Sequence, residues 1–262
     1  AMLVTVFAFD VTRPALIGFS IDLSLEKVYL TFSEPVLVSS LSPEGIAIQG
    51  ADNSDLHSVA LNSSAYSTSP NGVVISVVLN KDFLDDLKLD DLVGTSSSNT
   101  FITMDSLTIT DTSGNAVVAI EASTALGVAV FVPDTVRPSV VSFNLNVDAG
   151  TMSILFTEPV RANTVNISHV FLQHVSSVGG SSATFGISQQ SSSSSQNSLW
   201  ITLSFAFDDL NRLKNDTSLA VSVTSTFMTC APAFIKDMNS NPVVAIAWTN
   251  ALSVTRYTPD TT

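Results

Sequence analysis

Six carboxylates stand at matching places in the two halves of this chain. Asp10, Glu34 and Asp111 in the first half correspond to Asp134, Glu158 and Asp237 in the second, at offsets of 124, 124 and 126. Three such groups brought together on loops would suit Ca²⁺, a hard cation that takes carboxylate and carbonyl oxygens in adaptable geometry. Calcium is therefore the candidate ion, and no other cofactor is implied. The competing reading is local: Glu34 and Glu158 accept backbone N–H groups of nearby turns and pair with Arg13 and Arg137.

Each carboxylate belongs to a motif that occurs twice. Asp10 lies in Phe9-Asp10-Val11-Thr12-Arg13-Pro14 and Asp134 in Pro133-Asp134-Thr135-Val136-Arg137-Pro138, with a third copy opening at Pro259-Asp260-Thr261. The aspartates are 124 and 126 positions apart, a period that is a whole domain rather than a solenoid unit. Prolines on both sides of Asp134 hold the hinge short and stiff. Glu34 and Glu158 close strands at Phe32-Ser33-Glu34-Pro35-Val36 and Phe156-Thr157-Glu158-Pro159-Val160, where proline should stop the ladder or bulge it. Asp111 and Asp237 open the turns Asp111-Thr112-Ser113-Gly114-Asn115 and Asp237-Met238-Asn239-Ser240-Asn241. In an up-and-down arrangement the first strand leaves the hinge and the second returns to it. Glu34 then comes near Asp10, and Glu158 near Asp134. If the penultimate strand also runs towards the hinge, the two turns join them, and a bound ion would stiffen a string of domains.

The elements that must do this positioning read as strands. Period-two alternation places Ile17, Phe19, Ile21 and Leu23 inward, matched by Val141, Phe143, Leu145 and Val147. Val28, Leu30 and Phe32 match Met152, Ile154 and Phe156 in the next strand. Further strands are expected at 45–49 and 170–173, then at Val73, Ile75, Val77 and Leu79, matched by Leu199, Ile201, Leu203 and Phe205. The Ser-rich stretch 176–198 lacks apolar mass and is expected to be a mobile loop. Asp82–Lys88 and Asp208–Lys214 read as one or two helical turns, each with an aspartate as N-cap, crossing between sheets. Seven to nine strands per half with turn signals between them indicate an all-β protein of two tandem sandwiches, each with a short crossover helix. Hinge-to-hinge units then run over 10–133 and 134–258, with 259–262 starting a further hinge. Residues 1–9 match the strand that closes each unit and are expected to close a preceding repeat.

The Phe-Ser-Glu-Pro-Val strand end, the Asp-x-x-Gly-Asn turn at Asp111–Asn115 and the Asp-Thr-x-x-Pro hinge at Asp134–Pro138 together resemble bacterial-type Ig-like repeats of microbial and protist cell-surface proteins. The resemblance covers almost the whole chain, twice. It departs at Asn239-Ser240-Asn241, where the glycine is gone, and at Phe9-Asp10-Val11, where the hinge threonine is replaced. It implies Ig-like sandwiches and an extracellular or cell-surface location. Related repeats build adhesins, surface-layer proteins and long fibres such as flagellar hairs (mastigonemes). The expected function is a non-enzymatic structural segment of a surface fibre or stalk, with neighbouring copies or adjoining domains of the same array as partners. The alternative is an adhesin that grips glycan or protein through its loops or the Trp200 face. A third reading is an accessory domain of a secreted hydrolase.

Composition narrows the field further. A net charge of −13 argues against nucleic acid and anionic membrane as partners, since both call for basic patches. No apolar run reaches the length of a membrane span, so no membrane insertion is expected within this segment. The first residues lack the basic start of a signal peptide. Cys230 is the single cysteine and reads as a buried structural thiol. His57, His169 and His174 do not recur between halves, no Gly-x-Ser-x-Gly elbow occurs, and no phosphate-cradling loop is present, so no enzyme is expected. Asn62, Asn166 and Asn215 each open an N-glycosylation sequon. Trp200 should point outward from its strand, opposite Val74 in the first half, and mark an interaction face.

Overall fold

A computed structural model of the chain describes residues 8–178, 184–194 and 196–261. It divides into two compact units, Ala1–Asp134 and Thr135–Thr262, with the boundary inside the hinge. The expected spare strand at 1–9 falls mostly on residues 1–7, outside the described residues.

In chain order the first unit comprises β1 (Leu16–Asp22), β2 (Lys27–Leu37), β3 (Ile46–Ala51), β4 (Ser54–Ala60), β5 (Gly72–Val78), α1 (Lys81–Leu89), β6 (Phe101–Met104), β7 (Thr110–Asp111), β8 (Leu126–Gly127) and β9 (Val130–Val132). One sheet has the order β5-β2-β1-β9, with β7 joined to the far end of β2; the other has the order β4-β3-β6-β8. Alternating residues of both sheets meet in one core, with Phe19, Ile21, Leu30 and Phe32 against Ile46, Ile48, Ile102 and Met104. The closing segment belongs to both sheets. It pairs with β6 through β8 and then runs parallel to β1 through β9. Helix α1 carries the chain from β5 in one sheet to β6 in the other and buries Phe83, Leu84 and Leu87.

The second unit repeats the plan with β10 (Val140–Asn146), β11 (Thr151–Val160), β12 (Val170–Gln173), β13 (Thr184–Gly186), β14 (Ser192–Ser193), β15 (Ser198–Ser204), α2 (Phe207–Lys214), β16 (Phe227–Cys230), β17 (Leu252–Ser253) and β18 (Arg256–Thr258). Its sheets have the orders β14-β15-β11-β10-β18 and β13-β12-β16-β17. The protein is thus all-β, two Ig-like sandwiches in tandem, each crossed by one short helix.

Three local expectations are corrected. Ile17 and Val141 face solvent, 61% and 51% exposed. A bulge between Leu16 and Gly18, and its counterpart between Val140 and Ser142, adds one residue and inverts the alternation, so Leu16 turns inward instead. Val73 is also exposed, because the register of β5 against β2 breaks beside it. The helices start earlier than expected. Bonds from Leu84 N to Asn80 O and from Leu210 N to Ala206 O close their first turns, so Asp82 and Asp208 lie inside the helix and are not the caps. Finally, the Ser-rich stretch contains two short strands: β13 pairs with β12, and β14 pairs with β15.

Candidate metal centres

Two irregularities in the first sandwich aim its carboxylates. Strand β2 pairs with β5 as far as Thr31, then skips to Val36, leaving Phe32–Pro35 bulged out of the ladder. Proline has no N–H to donate there, and Glu34 rides on the bulge. Beyond it, Val36 and Leu37 change partner and pair with Asp111 and Thr110 of β7. The Asp111 turn is therefore laid beside Glu34 by the backbone itself. Within the turn, Asp111 Oδ1 accepts the N–H groups of Ser113 and Asn115, each at 2.8 Å. Gly114 closes it at φ +89°, a left-handed conformation that side-chain-bearing residues avoid. Asn115 Nδ2 donates both to Asp111 Oδ2 at 2.8 Å and to the Asp10 carbonyl at 3.1 Å, which fastens the hinge to the turn.

The result is a group of three carboxylates. Asp10, Glu34 and Asp111 each present an oxygen within 4.8 Å of the others, with Asp10 exposed, Glu34 half-buried and Asp111 buried. Burial pushes the Asp111 carboxyl up, but the donors at Asn115, Ser113 and Gly114 outweigh it and hold the group below the usual carboxylate range. Glu34 goes the other way: burial, then the charges of Asp10 and Asp111, raise it. Glu34 Oε1 is shut off from solvent and has no hydrogen-bond partner. The arginine proposed as its partner is engaged elsewhere. Arg13 donates from Nε to Ala116 O at 2.8 Å and from a terminal nitrogen to Val117 O at 2.6 Å. Arg137 does the same to Pro242 O and Val243 O, so these arginines clamp the segment after the turn.

Asp134, Glu158 and Asp237 form a matching group at the same 4.8 Å limit, and all three are buried. The supporting geometry recurs: β11 skips from Leu155 to Val160 in its pairing with β15, and Val160 bridges to Asp237. Asp237 Oδ1 accepts the N–H groups of Asn239 and Asn241. Ser240, standing where the first turn has glycine, takes φ +71°.

One feature went unread in the sequence. Lys88, in the last turn of α1, places Nζ 2.7 Å from Asp134 Oδ2, with side chains only 8% and 1% exposed. Lys214, in the last turn of α2, places Nζ 2.8 Å from Asp260, with side chains 25% and 29% exposed. The signal was available, since Lys88 and Lys214 are separated by 126 positions, as are Asp134 and Asp260.

The remaining candidates are scattered. Asn62 and Asn166 are half-buried, and their side-chain oxygens accept Ser64 N and Ser168 Oγ respectively. Asn215 is exposed, at the end of α2. Trp200 is 42% exposed and Val74, its counterpart, is exposed too. Cys230 is buried, and desolvation pushes its thiol up to about 11. His57 Nδ1 lies 2.9 Å from Asp90 Oδ2. Among the described residues, neither group of three potential ligands includes a histidine.

No protein family and no curated protein matches the sequence. Among solved structures, the chain is similar to the N-terminal part of the bacterial S-layer protein SbsC, with 15% identity over 74% of this chain and a TM-score of 0.29. It is also similar to the I9–I11 tandem of titin, with 9% identity over 94% of this chain and a TM-score of 0.20. It spans 44% of the first of those structures and 66% of the second.

Proposed function

We propose that this chain is a non-enzymatic structural segment of an extracellular fibre or stalk, joined to neighbouring copies or adjoining domains of one array. The observation that carries the reading is the duplication of an entire assembly. Strand order, bulge, Asp turn and carboxylate group are built twice, and each closing strand pairs within its own sandwich. Such a unit can be added to itself without new machinery. Calcium fits the donor set, which is hard oxygen only, held by turns and a bulge, and it would satisfy the buried Glu34 Oε1. Glycans on exposed Asn215 suit the same setting.

Two measurements test this reading. Antibody raised against the two units, applied to intact cells of the source organism under the electron microscope, should decorate surface filaments; label confined to the cell interior would reject it. Chelation with EGTA should lower the melting temperature of the purified protein, and an unchanged melt would remove calcium from the account.

A second reading has its own observation. Trp200 projects from the outer face of β15, where an aromatic ring could stack on a sugar or seat a protein partner. Glycan-array binding that disappears in Trp200→Ala would favour an adhesin over a passive segment.

A further inference from the structure

We infer that the second repeat carries a binding pocket for a carboxylate-bearing sugar, formed at the end of α2 by Arg212, His174 and Asp216. This deepens the binding-module reading above, yet the pocket shares no residue with the Trp200 face.

The pocket has a volume of about 310 Å³, the size of a small-ligand site, and Phe185 and Ser218 complete its polar and aromatic lining. Arg212 is set in place before any ligand arrives. One terminal nitrogen donates to Asp209 Oδ1 at 2.9 Å, and the guanidinium carbon lies 4.6 Å from the ring centre of buried Phe185. The side chain is still 57% exposed, so the rest of its planar fork is open to a ligand. His174, just after β12, is half-buried, and among the described residues its ring nitrogens make no hydrogen bond. Asp216 is fixed through one oxygen: Oδ1 accepts Ser218 N and Ser218 Oγ, each at 2.8 Å, and Leu219 N at 2.9 Å. The N–H groups of Ser218 and Leu219 hold this carboxyl below the usual range, so it stays ionised and Oδ2 remains an acceptor.

These groups ask for two things in one ligand. The guanidinium fork matches a carboxylate, which it can hold through two parallel hydrogen bonds. Asp216 Oδ2 is an acceptor only and calls for a hydroxyl donor. A phosphate dianion would meet repulsion from Asp209 and Asp216, and a neutral sugar would leave the guanidinium without a counter-charge. A sugar acid satisfies both demands, with His174 as a further polar contact.

The first repeat lacks this set on the same framework. Asp86 stands at the place of Arg212, Gly50 at that of His174, Val59 at that of Phe185 and Leu92 at that of Ser218. Asp90, the counterpart of Asp216, is kept, but its Oδ2 lies 2.9 Å from His57 Nδ1 and is already used. Folding of the repeat therefore does not require the Arg212 group, which is peculiar to the second sandwich.

The test is amide NMR of the isotopically labelled full chain, titrated with glucuronate, N-acetylneuraminate, glucose or acetate at neutral pH. Saturable shifts at Ser218 and Leu219 are expected with a sugar acid, and none with glucose or acetate at the same concentration. Arg212→Lys keeps the charge but loses the fork, and His174→Ala removes one polar contact; each should weaken binding about tenfold. Circular dichroism would establish that Arg212→Lys folds, and His174→Ala carries the test if it does not. No saturable shift with either sugar acid, equal shifts with glucose or acetate, or unchanged affinity in His174→Ala would overturn the inference. Trp200→Ala should titrate as the unaltered chain does, so this pocket and the Trp200 face fail separately; a weakened titration there would place the sugar elsewhere and overturn the assignment.

Discussion

The crossover helices of the two repeats occupy the same place in the fold but bury different chemistry. Helix α1 sends Phe83 into the core beside Leu84 and Leu87. At the corresponding position, 126 residues on, α2 carries Asp209, and it is just as deeply buried. That carboxylate is saturated. Its Oδ2 accepts Ser188 N at 2.8 Å, Ser188 Oγ at 2.7 Å and Ser191 Oγ at 3.0 Å, and its Oδ1 accepts Arg212 at 2.9 Å. Ser191 Oγ accepts Ala206 N at the start of the helix, and the Arg212 guanidinium lies 4.6 Å from the ring centre of Phe185. An aromatic anchor has been exchanged for an acidic one, which ties Ser188 and Ser191, between β13 and β14, to the helix. A buried carboxylate can hold neighbouring segments together when several donors converge on it.

The comparison is broken most forcefully at Phe83. Phe83→Ala should destabilise the first unit by about 3–5 kcal/mol through lost burial and the cavity left behind, read as a drop in its denaturant midpoint. The second unit should unfold where it did before.

Next in size is Asp209→Ala, expected to destabilise the second unit by about 2–4 kcal/mol, since it strands donors on half-buried Ser188 and buried Ser191. The sign of its pH dependence is also set. Burial pushes Asp209 up, but the donors from Ser188, Ser191 and Arg212 outweigh it and hold the group below the usual carboxylate range. Its contribution is therefore full above the unfolded carboxylate pKa, about 4, and is lost as pH falls below that. Urea midpoints of the second unit measured from pH 6 down to pH 2 should fall more steeply in the unaltered protein than in Asp209→Asn.

The smallest expected effect sharpens the comparison at the Asp turns. Gly114 takes positive φ freely, whereas Ser240 holds φ +71° against the clash of its own Cβ. Ser240→Gly should stabilise the second unit by about 0.5–1 kcal/mol, and Gly114→Ser should destabilise the first by a similar amount. Equal and opposite shifts in melting temperature would bear out the shared geometry; no shift in either would show that the two turns are relaxed.

Much of this was legible in the sequence because the chain states each motif twice. The alternation of Phe19, Ile21, Leu30 and Phe32 and its echo in Phe143, Leu145, Ile154 and Phe156 is enough to place two cores. What alternation cannot reveal is a single inserted residue, so Ile17 and Val141 were assigned to the wrong face by bulges that leave no mark in composition. The carboxylates could be grouped from topology, on the condition that the strand before the Asp turn runs back to the hinge as the Pro-ended strand does. The Ser-rich segment was unreadable for a different reason. Ser188 and Ser191 are held by Asp209, which in isolation looks like any acidic residue in a first helical turn. The Lys88–Asp134 pair was hidden by distance along the chain, although the offset that found the carboxylates also relates its lysines.

The central claim is that the converging carboxylates of the repeat hold a divalent cation. Crystals grown in calcium chloride and measured at a long wavelength would locate the ion by its anomalous scattering. The account predicts a peak between the oxygens of Asp10, Glu34 and Asp111. No peak at that group would contradict it.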